Sequence, residues 1–150
     1  MGLSRLRAFL KGRKAIAVDS SVFIYQLEKN SHYFSLTDEI FAFLEGAGRV
    51  AITSTLTLTE VTVPTYMGTD KRTPTLMQGL LSTYPGVVWV PPSMEIAAEA
   101  ARLRADYKFK TPDAIHAATA IVEGVRGFIT NDIVFRRMGE LETLILNDLL

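Results

Sequence analysis

The chain has 150 residues, 16 Lys and Arg against 16 Asp and Glu, 48% hydrophobic residues and no cysteine. This describes a single domain with a sizeable core. It excludes disulfides and thiolate metal sites, and with His32 and His116 as the only imidazoles it argues against a zinc site built on several of them. A net charge of zero gives no long-range basic field of the kind strong nucleic-acid binders carry, which leaves local clusters at Arg5 to Lys14, Lys108 to Lys110, and Arg136 with Arg137.

In the N-terminal segment MGLSRLRAFLKGRK, charges interrupt the apolar residues too often for a signal peptide. No apolar run reaches the roughly 18 to 20 residues of a membrane span, so a soluble, cytoplasmic protein is expected. Leu3, Leu6 and Leu10 fall roughly in line, which predicts an added amphipathic helix within residues 1–14, docked by its leucines with its basic face in solvent.

Ala15 to Val18 reads as a buried strand running into Asp19, followed by a buried helix over Val22 to Leu27. Leu36, Ile40, Phe43, Leu44 and Ala47 recur at helical spacing, and Gly46 and Gly48 end that helix. Val50 to Thr53 is the next strand. Thr55 to Val63 alternates Thr with Leu and Val and favours a strand locally; as a helix it places Leu56, Glu60 and Val63 on one stripe. In both readings Glu60 falls on an apolar face.

Gly68 to Pro74 reads as a loop, followed by a helix to Leu81, and Val87 to Val90 as a strand stopped by Pro91 and Pro92. Ser93 is a helix N-cap, and Ile96, Ala100, Leu103 and Tyr107 form the buried stripe of the helix it opens. Thr111-Pro112-Asp113 has the form of a helix start, with a cap, a proline at the first position and an acid in the first turn. A strand ends at Thr130, Asp132 starts a short helix, and Thr143 to Leu146 is a last strand. Strands that alternate with helices predict a parallel sheet covered on both faces, in which ligands bind beyond the carboxyl ends of the strands. Asp19 and Asp132 both stand there.

Taken singly, Asp19 and Asp132 read equally well as helix caps, Asp113 as a helix-dipole partner and Glu60 as a surface acid. Taken together they make a hard-oxygen site for magnesium or manganese. A carboxylate among Leu and Val needs compensation when buried, and a cation supplies it. Such an ion can activate water and steady the leaving oxygen of a phosphodiester. His116, three residues after Asp113, shares its helical face; it reads as a packing residue on an alanine-rich helix, with the orienting of a site carboxylate as the alternative.

Four segments in order, Val18-Asp19-Ser20-Ser21-Val22-Phe23-Ile24, Leu58-Thr59-Glu60-Val61, Thr111-Pro112-Asp113-Ala114-Ile115-His116-Ala117-Ala118-Thr119-Ala120 and Phe128-Ile129-Thr130-Asn131-Asp132-Ile133-Val134-Phe135, resemble a PIN domain of the VapC toxin type. The likeness runs from about Ala15 to the C-terminus. It implies a three-layer α/β/α domain with a parallel sheet of four to five strands, Glu60 on a helix, and a Mg2+- or Mn2+-dependent endoribonuclease. It also implies a homodimer held inactive by a cognate antitoxin. By the same resemblance Asp19, Glu60, Asp113 and Asp132 are the metal-binding catalytic acids, supported by Thr130, Asn131 and Ser20 or Ser21. The segment before the first strand lies outside the family's minimal pattern. Arg136 and Arg137, just past Asp132, are candidates for holding RNA phosphates, and Phe34, Phe41 and Tyr66 for partner surfaces.

Rival doubly wound folds lack their residues here. A haloacid-dehalogenase site needs an acid where Ser21 stands, a receiver domain needs an acidic pair and a late lysine, and neither the dinucleotide fingerprint nor the P-loop is present. The remaining alternative is a catalytically silent PIN-like module that binds RNA or protein.

Overall fold

A computed structural model describes all residues, 1–150. Five short parallel strands, β1 (Ala15–Val18), β2 (Val50–Ser54), β3 (Val87–Val90), β4 (Gly127–Thr130) and β5 (Glu142–Ile145), form one sheet in the order β3-β2-β1-β4-β5. Seven helices connect and cover them: α1 (Gly2–Leu10), α2 (Ser20–Leu27), α3 (Phe34–Leu44), α4 (Leu56–Tyr66), α5 (Thr73–Ser82), α6 (Met94–Tyr107) and α7 (Thr111–Val122). Two 3-10 helices, Ile133–Arg137 and Leu146–Leu149, complete the chain. The expected three-layer α/β/α fold is the observed one, with five strands.

Successive strand residues point to opposite faces, and two apolar clusters form accordingly. Ile16, Val18, Ala51 and Ile129 pack with α1 to α5 on one side; Ala17, Ile52 and Phe128 pack with α6 and α7 on the other. On that second side Ala114, Ala117, Ala118 and Ala120 are fully buried. Their small side chains let α7 lie close on the sheet beneath Ala17. The chain leaves β1 for neighbours on both sides, β2 on one and β4 on the other. The order of strands therefore reverses at β1, which opens a crevice beyond the carboxyl ends of β1 and β4.

The N-terminal helix is part of the body. Leu6 is fully buried and Leu10 nearly so, as the leucine stripe predicts. A Cβ on Gly2 would lie 1.9 Å from the Leu149 carbonyl oxygen, so helix and C-terminus meet at backbone distance. Truncating Leu6 to alanine therefore costs about 2–5 kcal/mol.

Three expectations change. Thr55 to Val63 is helical, as the family resemblance implies and its local alternation does not: α4 buries Thr57, Val61 and Thr62 against the body, so tertiary packing overrides strand propensity, and Pro64 sits inside the helix. Glu60 is consequently half-buried at the rim of the fold rather than enclosed among Leu and Val, its side chain 36% exposed. The cap of α7 is Lys110, one residue earlier than expected, with Thr111 already helical.

Candidate active site

Asp19 leaves the end of β1 as the N-cap of α2, and is buried. Its Oδ1 accepts the Ser21 backbone N–H at 3.0 Å and the Ser21 hydroxyl at 2.5 Å; its Oδ2 accepts the hydroxyl of Thr130. Both donating hydroxyls are themselves held by the turn after β4. The Ser21 oxygen accepts the Asn131 N–H at 3.2 Å, and the Thr130 oxygen accepts the Asp132 N–H at 3.0 Å. The two strand ends that flank the crevice are thus tied together through the supports of one carboxylate. Burial pushes the Asp19 carboxyl above the usual range, against the opposing pull of the Ser21 and Thr130 hydrogen bonds.

Asp132 caps the 3-10 helix Ile133–Arg137, accepting the Val134 N–H at 3.0 Å. Asp113 stands in the first turn of α7. The capping and dipole roles read from sequence are therefore real, and they coexist with a second fact. Asp19, Glu60, Asp113 and Asp132 all line one open pocket of about 390 Å³. Desolvation raises the Asp113 carboxyl, and the neighbouring charges of Asp132, Asp19 and Glu60 raise it further. Asp113, on α7, thus feels the charges of the acids from α4 and from the two strand ends.

His116 meets both of the alternatives that the sequence offered for it. Its ring is buried at 5% exposure, as packing requires, yet Nε2 lies 2.5 Å from Oε1 of Glu60 and the residue lines the pocket. Its place on the Asp113 face was the signal. Tyr25 was missed altogether: it lines the pocket, its hydroxyl accepts Nδ2 of Asn131 at 2.9 Å, and its ring stacks on Tyr33 at 4.5 Å. Its spacing of four from Ser21, one helical face, carried that information. Ser20 also lines the pocket, but Ser21 is the serine bonded to Asp19.

Arg136 and Arg137 do not line the pocket. Arg136 pairs with Asp148 at 2.5 Å, and Arg137 reaches toward the Tyr107 and Lys108 carbonyls. Of the three aromatic residues considered for partner surfaces, Phe41 belongs to the core and Tyr66 is 67% exposed.

No three acidic or imidazole side chains stand close enough to form a ready cage for an ion. The donor set nevertheless suits one type of ion. All four acids present hard oxygen to an open pocket, and magnesium binds through one or two carboxylates while keeping several waters. The residues therefore fit a partly hydrated magnesium or manganese, not a fully enclosed one.

The model of the PIN domain family matches residues 16–141. The chain belongs to the PIN domain family. Among solved structures this PIN domain is similar to VapBC2 from Rickettsia felis bound to a promoter DNA fragment (TM-score 0.67, 15% identity, 87% of this chain and 98% of that one). It is similar also to a toxin–antitoxin complex from Klebsiella pneumoniae (TM-score 0.65, 22% identity, 87% and 97%) and to VapBC-1 from nontypeable Haemophilus influenzae (TM-score 0.67, 15% identity, 89% and 98%). At these identities the likeness is one of fold. A comparison with curated proteins gives no match. No helix of this PIN domain is long and apolar enough to cross a membrane.

Proposed function

We infer that this PIN domain is a Mg2+- or Mn2+-dependent endoribonuclease, the toxin of a VapBC-type pair. One observation carries the reading: Asp19, Glu60, Asp113 and Asp132, spread over more than a hundred residues of sequence, share one pocket at the carboxyl edge of the sheet. The toxin–antitoxin complexes among its structural neighbours add support.

Asp19, Asp113, Asp132 and Glu60 are the residues that would hold the ion. Bound there, it supplies Lewis acidity toward water and a phosphodiester oxygen. The chain's own work is positional. Ser21 and Thr130 fix both oxygens of Asp19, and Asn131 braces Ser21 through its backbone N–H and Tyr25 through its side chain. A carboxylate held this way does not reorganise when substrate arrives. Arg136 and Arg137 are assigned to RNA phosphates beyond the pocket rim; an exposed ion pair such as Arg136 with Asp148 is worth little and exchanges readily for phosphate.

The exposed apolar residues Val63, Tyr66 and Met67 of α4 and its end, with Leu76 and Leu80 of α5, are assigned to the homodimer or antitoxin contact. Purified protein is expected to cut RNA with magnesium or manganese, to stop in EDTA, and to lose orders of magnitude in rate on Asp19→Ala. RNA binding without any metal-dependent cutting would instead establish a silent binding module.

A further inference from the structure

α4 holds Glu60 loosely. The helix buries only Thr57, Val61 and Thr62, contains Pro64, and exposes Val63 and Tyr66, with Met67 exposed just past its end. Glu60 has three rotatable side-chain bonds and is 36% exposed, so packing alone does not decide where its carboxylate points.

One contact does decide it. His116 lies on α7, a helix fixed on the sheet by its buried alanines, and its Nε2 stands 2.5 Å from Oε1 of Glu60. The other ring nitrogen, Nδ1, is buried and has no hydrogen-bond partner. A buried N–H without an acceptor costs more than a bare ring nitrogen in the same place. An ionised carboxylate only accepts, so the donor in this contact is Nε2–H and the acceptor is Oε1 of Glu60.

We propose that His116 is a positioning residue: its Nε2–H clamps one oxygen of Glu60 and thereby fixes α4 to α7 across the pocket, leaving Oε2 for the ion. The proposal rests on the metal-dependent reading above and adds to it a supporting contact behind one acid. Partners of this kind orient metal-ligating groups, and their loss typically weakens metal binding 10–100-fold. The same side chain bridges the helix of Asp113, three residues before it, to the helix of Glu60, so the span between two acids depends on one ring.

The test pairs His116→Leu with His116→Gln. Leucine fills the space without a donor; glutamine returns an N–H near the position of Nε2. Manganese affinity, measured by titration calorimetry on the full chain, is expected to fall about 10–100-fold in His116→Leu and to recover most of that loss in His116→Gln. Equal losses in the two variants, or none in either, would overturn the clamp and return His116 to simple packing.

A second measurement needs neither a folded variant at this position nor an ion. Long-range 1H–15N correlation on the metal-free wild type should show the Nε2-protonated tautomer, with shifts that move on Glu60→Gln. A proton on Nδ1, or shifts indifferent to Glu60, would overturn the proposal. A wild type that takes up no manganese overturns the metal-dependent function instead, and the nitrogen shifts then decide the clamp alone.

Discussion

The hydroxyl of Thr130, at the end of β4, donates to Oδ2 of Asp19, at the end of β1, while its oxygen receives the backbone N–H of Asp132. Thr130 is fully buried and Asp19 is 6% exposed, so the bond between them has no water as a substitute. Thr130→Val keeps the shape and removes the hydroxyl, leaving a buried carboxylate oxygen short of a partner. The expected loss is about 1–3 kcal/mol in urea unfolding, with a smaller loss for Thr130→Ser. A valine variant as stable as the wild type would mean that this hydroxyl does not support Asp19.

Both Asp19 and Asp113 are expected to be required for activity. Asp19→Ala and Asp113→Ala should each lower RNA cleavage by orders of magnitude with the circular dichroism of the wild type retained. Either variant at full rate would remove that residue from the site.

The pH dependence follows from the raised carboxyls. Asp19 is raised by its burial, and Asp113 by desolvation and then by Asp132, Asp19 and Glu60. A carboxyl whose folded pKa lies above the unfolded value of about 3.9 is deprotonated first in the unfolded chain. Its contribution is present below that value and declines as pH rises through the folded pKa. Without metal, Asp113→Asn should therefore gain on the wild type as pH rises from about 4 toward neutrality, set against a helix-dipole loss of roughly 0.3–1 kcal/mol. Thermal unfolding in EDTA across this range measures it, and a stability difference that does not change with pH would remove Asp113 from the repelling cluster.

Manganese should reverse the same effect. An ion that binds only the folded state raises the melting temperature by mass action, and the rise should be smaller in Asp113→Asn. Identical shifts in the two proteins would leave Asp113 a helix-start residue only.

Arg136 and Arg137 can be tested by salt. Removing one cation from a bound phosphate flattens the log–log salt dependence of RNA binding by about one unit. The double variant Arg136→Glu, Arg137→Glu should therefore bind more weakly and with a shallower slope. An unaltered slope would confine Arg136 to its pair with Asp148 and Arg137 to the carbonyls after α6.

Alternation of apolar runs with helical stripes was enough to establish the parallel α/β class, the strand before Asp19, the Ser93 cap and the docking of Leu6 and Leu10, because each depends on neighbours within a few residues. Order along the chain was enough to single out the four acids. Their convergence was not legible in this way: a cap and a pocket acid have the same local sequence, and Asp19, Asp113 and Asp132 each serve as helix-terminus residues while facing a common space. Local pattern also misled at Thr55 to Val63, where β-branched residues favour a strand by propensity and packing against the rest of the body makes a helix. The two roles of His116 divide along the same line. Its burial follows from the alanine-rich face around it, whereas its bond to Glu60 joins residues 56 positions apart and exists only once α4 and α7 are brought side by side.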